Sequence, residues 1–241
     1  MPDWLTARPV AHRGLHDASA GVIENTASAF RAAVDANYSI ECDVQISVDG
    51  EAMVHHDETL GRLTEGDARL DAMTAAELKQ VRFRATADRM LTLSELCDLV
   101  AARTALLIEI KSRFDGDLRL AQRIAPVLAP YSGHAAVMSF DPTPVAALRR
   151  LAPNRPRGLL GQRRDGKTAD RYSMPPLRFA VAALSARPNF LGYRVQNLDG
   201  VLPRLARAIG LPLLTWTVRT AEDRDRAARL ADQMIFEGFR P

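Results

Sequence analysis

From Pro9 to Phe236 the chain alternates short apolar runs with stretches of helical period. That rhythm is the signature of parallel strands joined by crossover helices. Strands are predicted at Pro9–Arg13, Ser39–Ile46, Ala105–Lys111, Ala135–Phe140, Gly158–Gly161, Phe190–Val195, Leu211–Val218 and Met234–Phe236. Helices are predicted at Thr26–Asp35, Leu93–Ala102, Leu118–Leu128, Pro144–Leu151, Pro176–Ala186, Leu202–Ile209 and Ala221–Leu230. Start signals support several of them: Thr92 or Ser94 before an acidic residue, Asp141-Pro142-Thr143 before the Val145 run, and Pro175-Pro176. Eight strands with about seven helices between them describe a TIM (β/α)8 barrel, and 241 residues is the length of one such domain. About 40 residues between the second and third barrel strands (50–90) break the rhythm. They carry a short run at Ala52–His55 and a helix near Thr74–Gln80, and read as a small insertion at the barrel mouth. The sequence stops soon after the last strand, so the eighth helix is expected to be truncated. The barrel is then left open there, or a second copy of the chain covers it as a homo-oligomer.

A hydrophobic fraction of 47% with 25% charged residues supports a folded core and excludes a disordered chain. The formal charge of +3 is too small a surplus to point to nucleic acid. It hides a strong asymmetry. Residues 1–148 hold 14 basic and 21 acidic side chains, whereas residues 149–194 hold 11 basic and 2 acidic ones. Arg163, Arg164, Lys167 and Arg171, after the fifth strand, are therefore expected to form a positive rim over the mouth. Cys42 and Cys97 make neither a disulfide framework nor a metal knuckle. No secretory signal and no apolar run of about 18 residues is present, so a soluble, cytoplasmic protein without membrane insertion is expected.

Two strands carry the chemistry. In Ser39-Ile-Glu41-Cys-Asp43-Val-Gln-Ile46 the two carboxylates are two residues apart, so they share a face about 7 Å apart while Cys42 takes the other. Such a pair resists burial, and a divalent cation with a taste for hard oxygen, Mg²⁺ or Ca²⁺, relieves the repulsion. Structural salt bridges or a solvated strand end would relieve it too. In Leu106-Leu-Ile-Glu109-Ile-Lys111 an acid and a lysine again share one face at the catalytic end of a barrel strand. Glu109 can complete a three-carboxylate site, with Lys111 beside it for a substrate anion. His12 and His56 fall where a barrel mouth would hold them, and two such imidazoles can work as acid and base. Arg13 offers a fork for phosphate oxygens, and Gly14 lets the backbone come close. Two histidines, three carboxylates, an arginine and a lysine describe metal-assisted phosphoryl transfer better than any other common reaction.

The ordered fragments Ala11-His12-Arg13-Gly14, Ile23-Glu24-Asn25-Thr26, Ile40-Glu41-Cys-Asp43-Val44, Val54-His-His56-Asp57, Leu91-Thr92-Leu93-Ser-Glu95 and Ile108-Glu109-Ile-Lys111 resemble the glycerophosphodiester phosphodiesterase family. Ser139-Phe140-Asp141 and Trp216-Thr217-Val218 continue the resemblance sparsely through the second half. It implies a TIM barrel, a divalent ion at Glu41, Asp43 and Glu109, and His12 and His56 as the acid–base pair. It also implies phosphate contacts from Arg13 and Lys111, a substrate contact from Asn25, Glu24 in support, and Phe140 and Trp216 shaping the pocket. Three positions depart from the family pattern: Ile23 in place of proline, Arg219 in place of asparagine, and Phe236-Glu237 in place of Thr-Asp.

The resemblance implies hydrolysis of glycerophosphodiesters to sn-glycerol 3-phosphate and an alcohol, on a small-molecule substrate. A second substrate class is a lysophospholipid, which needs an acyl groove and membrane contact. No basic amphipathic helix is evident to supply that contact. A silent, phosphodiester-binding barrel is the third reading, and the presence of all seven chemical residues weighs against it.

Overall fold

The computed structural model describes residues 2–163 and 171–241. Eight parallel strands close into a ring: β1 (Val10–Ala11), β2 (Ser39–Ile46), β4 (Leu106–Ile110), β5 (Ala135–Ser139), β6 (Arg157–Gly161), β7 (Phe190–Arg194), β8 (Leu213–Val218) and β9 (Gln233–Phe236). β1 pairs with β2 on one side and β9 on the other, so no parallel edge is left open. β3 (Ala52–Val54) lies antiparallel on the end of β2 and opens the expected insertion. α1 (Ala27–Asp35), α3 (Leu93–Val100), α4 (Arg119–Leu128), α5 (Pro142–Leu151), α6 (Pro176–Ala186), α7 (Val201–Ala208) and α8 (Ala221–Leu230) connect the strands, and α2 (Ala75–Gln80) belongs to the insertion. Among the described residues no helix follows β9, and no helix is long and apolar enough to cross a membrane.

Strand alternation sorts the side chains. Ile40, Cys42, Val44, Leu106 and Ile108 face outward into the layer between sheet and helices. Leu107, Ala136, Met138, Leu160 and Leu214 face inward and fill the barrel axis. Glu41, Asp43 and Glu109 share the inward face, above that apolar plug. Helix starts follow local chemistry. Thr92 and Glu95 form a reciprocal capping box at α3, and Thr74 with Glu77 does the same at α2. α5 begins at Pro142, two residues earlier than expected. The Asp141 side chain accepts the Thr143 N–H, and Pro142 occupies a first-turn position that needs no donor.

β1 is shorter than its sequence suggests, because Arg13 and Gly14 leave the extended region with φ of 56° and 81°. The Arg13 N–H turns onto Glu41 Oε2 at 2.9 Å, and the Gly14 N–H onto the Glu41 carbonyl at 3.2 Å. The chain therefore bends over the carboxylates as soon as the strand has paired.

Candidate active site

The parallel register of β2 and β4 sets Asp43 directly beside Glu109, with Glu41 two residues earlier on the same face. One ligand atom from each of the three carboxylates lies within 4.8 Å of the others, and all three are buried. Burial and the two neighbouring carboxylates push the Glu41 carboxyl well up from the ordinary range, and burial next to Asp43 raises Glu109. Asp43 goes the other way: against the cost of burial, Lys111 and Arg13 hold it well down. Lys111 Nζ is 2.8 Å from Asp43 Oδ1 and 2.6 Å from Glu109 Oε1, and Arg13 Nε is 3.1 Å from Asp43 Oδ2. Glu41 Oε1 is buried without any hydrogen-bond partner. Three hard oxygen donors, one of them orphaned and two reluctant to ionise, fit a divalent cation.

A cavity of about 340 Å³ opens over this cluster. His12, Arg13, Glu41, His56, Glu109 and Lys111 form its polar wall. Met138, Phe140, Leu160, Tyr172, Trp216 and Ile235 form an apolar wall opposite. Phe140 meets the Trp216 ring edge-on at 5.2 Å and the tilted Tyr172 ring at 4.9 Å, giving a continuous aromatic face.

Each histidine is held through Nδ1. His12 Nδ1 lies 2.6 Å from Glu237 Oε2, and His56 Nδ1 lies 2.7 Å from Asp57 Oδ1. A carboxylate only accepts, so each Nδ1 is the N–H and each Nε2 is left for the cavity. Burial lowers the His12 pKa against the pull of Glu237. Against its own burial, the bonds to His12 and Arg219 hold Glu237 at about 2. Asp57 passes its other oxygen to Arg62 Nε at 2.6 Å, and Arg62 reaches Glu24, which in turn holds Arg13 at 2.7 Å. One chain of ion pairs therefore runs from His56 to Asp43.

The structure brings His12, Arg13, Glu41, His56, Glu109, Lys111, Phe140 and Trp216 onto the cavity walls, with Asp43 buried beside Glu109 and Glu24 bonded to Arg13 and Arg62. Asn25 differs. It is buried, its amide donates to Asp43 Oδ2 at 2.9 Å, and its oxygen accepts the Asp43 N–H at 3.2 Å. Both ends are engaged with Asp43, so Asn25 braces a carboxylate instead of lining the cavity. The expected positive rim also changes. Arg171 is paired with Glu58 and lies over the Tyr172 ring, Arg163 is exposed beside cavity-lining Gln162, and Arg164 and Lys167 lie outside the described residues. Glu237, Asp57, Arg62 and Tyr172 were not anticipated. For Glu237 a signal existed: an acid at the mouth end of the last strand, paired with the other departure, Arg219, at 2.9 Å.

The chain is similar to known proteins in both sequence and fold. A glycerophosphodiester phosphodiesterase of Caldanaerobacter subterraneus is 28% identical over 227 residues, covering 90% of this chain and 88% of that protein. The crystal structure of a Thermotoga maritima glycerophosphodiester phosphodiesterase superposes with a TM-score of 0.75 at 26% identity, covering 95% of this chain and 94% of the other. An Oleispira antarctica phosphodiesterase, solved in complex with its product sn-glycerol-3-phosphate, has the same fold, with a TM-score of 0.79 at 20% identity and coverage of 95% and 91%. The sequence profile of the glycerophosphoryl diester phosphodiesterase family matches residues 12–238. With the match spanning nearly the whole ring of strands, the chain belongs to that family of phosphoric diester hydrolases.

Proposed function

We propose that this protein hydrolyses glycerophosphodiesters to sn-glycerol 3-phosphate and an alcohol, with Mg²⁺ or Ca²⁺ at Glu41, Asp43 and Glu109. The observation that carries the reading is the pair of carboxylate-held imidazoles on the same cavity wall as the three-carboxylate cluster. A divalent cation bound there would supply charge neutralisation and Lewis acidity to the phosphoryl oxygens. Three ionised carboxylates against Arg13 and Lys111 leave the cluster one charge negative, and a +2 ion turns it one charge positive. A phosphodiester monoanion is then attracted instead of repelled.

Arg13 and Lys111 hold the phosphate against the polar wall. His12, buried and favouring its neutral form, takes the proton through Nε2 from the attacking water, or from the glycerol 2-hydroxyl, in which case a cyclic phosphodiester forms and water then opens it to sn-glycerol 3-phosphate. As the new P–O bond forms and the old one breaks, His56 gives a proton to the departing alkoxide. Glu237 and Asp57 keep each ring in the tautomer that leaves Nε2 available. The alcohol leaves along the aromatic wall.

A second substrate class, the lysophospholipids, draws support from that same wall, since Phe140, Tyr172, Trp216, Met138 and Leu160 give an acyl chain apolar contact. Rates on glycerophosphocholine and lysophosphatidylcholine under one metal condition separate the two classes. The deciding test is glycerol 3-phosphate release in Mg²⁺, in Ca²⁺ and in EDTA, with Glu41→Gln and His56→Ala alongside. Loss of activity in EDTA and in both variants is expected. Equal rates in EDTA, or wild-type rates in both variants, would overturn the mechanism.

A further inference from the structure

The outer face of two neighbouring helices is apolar where a water-exposed helix is ordinarily polar. In α6, Leu177, Val181 and Leu184 are spaced at four and three residues and are 78%, 60% and 77% exposed. In α7, Val201 and Leu205, with Ile209 just past the helix end, repeat the stripe at 78%, 53% and 70%. Helical spacing puts each trio on one side of its helix. The two helices touch, and in a (β/α)8 ring they run side by side. Six such side chains leave roughly 600 Å² of apolar area, at the upper limit for a monomer's surface and short of the ~800 Å² per partner of a stable protein interface.

The charges on the two helices have one sign. Neither helix contains an acidic residue. Arg178, Arg187, Arg204 and Arg207 flank the aliphatics, and residues 171–210 hold six arginines against Asp199 alone. Some exposed arginines of this chain, such as Arg119 and Arg69, are bonded to nearby carboxylates, and of the four flanking ones Arg207 reaches Asp232 at 3.7 Å. Among the described residues no ion pair joins Arg178 or Arg204 to an acid.

We infer that the α6–α7 face is a docking surface for an anionic lipid bilayer. A face of exposed aliphatics rimmed by arginine, with no acid on either helix, matches both layers of such a surface, acyl boundary and phosphate headgroups. A second copy of the chain matches it poorly. A two-fold contact would oppose Arg178 and Arg204 of each copy with no acid on either helix to answer them. The sequence pattern hid this face because Arg178 and Arg204 interrupt the aliphatics, and only burial of Phe179, Pro203 and Ala206 shows which side points outward. Docking would also bring the mouth to the membrane. α6 and α7 begin at the catalytic end of the barrel, where Leu177 and Val201 are the most exposed members, and cavity-lining Tyr172 lies four residues before α6.

Co-sedimentation of the full chain with sucrose-loaded vesicles tests this without reference to the cavity's chemistry. Vesicles of phosphatidylcholine with about a third phosphatidylglycerol should pull the protein down. Pure phosphatidylcholine, or the mixed vesicles in high salt, should do so at least roughly tenfold more weakly. The variants Leu177→Ser/Leu184→Ser and Arg178→Glu/Arg204→Glu should each lose binding by a similar factor while hydrolysis of a water-soluble diester is unchanged. Two variants are used so that one poorly folded protein does not decide the result, and thermal melts verify both. A wild type that stays in the supernatant overturns the inference. So do variants that bind like wild type, or a wild-type dimer that the leucine variant converts to monomer.

Discussion

Glu237 Oε2 sits 2.6 Å from His12 Nδ1, joining the residue that follows β9 to the residue that follows β1 across 225 positions of sequence. Closing the barrel is what makes this contact, since Val10 pairs with Ile235 and Ala11 with Phe236. The imidazole at the centre of the proposed proton transfer is thus oriented by the last strand.

Glu237→Gln keeps the shape of that contact but replaces an obligate acceptor by an amide, so His12 loses the constraint on its tautomer. A fall in kcat of about 10–100-fold is expected with KM changed less than about threefold. The limb of the pH–rate profile assigned to His12 should shift, and Glu237→Asp should recover part of the rate. An unchanged profile with a raised KM would make Glu237 merely a wall of the pocket.

Removing the ion should be visible in stability as well as in rate. In EDTA above pH 8, Glu41→Gln is expected to melt at or above the wild-type temperature, because it deletes the carboxyl whose ionisation burial and its neighbours oppose. Saturating Mg²⁺ or Ca²⁺ at about 100 times Kd should raise the wild-type Tm by roughly 5–10 °C, from ~2.7 kcal/mol of linkage, and leave the variant unmoved. Equal ion-induced shifts in the two proteins would remove Glu41 from the ligand set.

Much of this centre could be read before any fold was known. The i, i+2 spacing of Glu41 and Asp43, and of Glu109 and Lys111, is local and survives in the strands as expected. The α6 and α8 boundaries also match their apolar patterns, because proline or threonine starts each helix and the period ends where a strand begins. What stayed hidden is non-local. The β2–β4 register that brings Asp43 beside Glu109 is a property of pairing, and nothing near His12 names Glu237 as its partner. Asn25 belongs with these: its motif marks the site, but only the fold shows both ends of its amide on Asp43. Tyr172 joins the cavity by ring packing against Phe140, which leaves no trace in spacing.

His55, beside cavity-lining His56, gives the fold an acid-sensitive element. It is buried, its Nδ1 has no partner, and burial lowers its pKa to about 4 from 6.5. The unfolded chain protonates this residue near 6.5 while the native one stays neutral, so unfolding is favoured as pH falls from 6.5 towards 4, and no such bias exists above 6.5. Guanidinium titrations at pH 7.5 and 4.5 should show a loss of stability that His55→Gln reduces by about 2–3 kcal/mol. Parallel curves for the two proteins would place the acid sensitivity elsewhere.

Gly14 is expected to tolerate no side chain. Its φ is 81°, and a Cβ there would lie 2.9 Å from both the carbonyl carbon and the Cβ of Ala29. Gly14→Ala should cost about 3 kcal/mol from left-handed strain and overpacking, lowering Tm by roughly 6–12 °C. Because the preceding residue is Arg13, KM should rise more than kcat falls. A variant with wild-type Tm and KM would show that the β1 turn has slack.

The cavity's two walls come from different stretches of the chain. Residues 12–111 supply the wall with the carboxylates and histidines, and the stretch from Met138 onward supplies the whole apolar wall together with Gln162, Arg194, Thr217 and Arg219. Selection can therefore rewrite the later stretch, changing which alcohols are accepted, while the earlier stretch keeps cleaving the same bond. A chimera that grafts the region after Lys111 from a relative should inherit the donor's taste in leaving groups and the recipient's dependence on its ion, provided the graft keeps an acid at position 237 for His12.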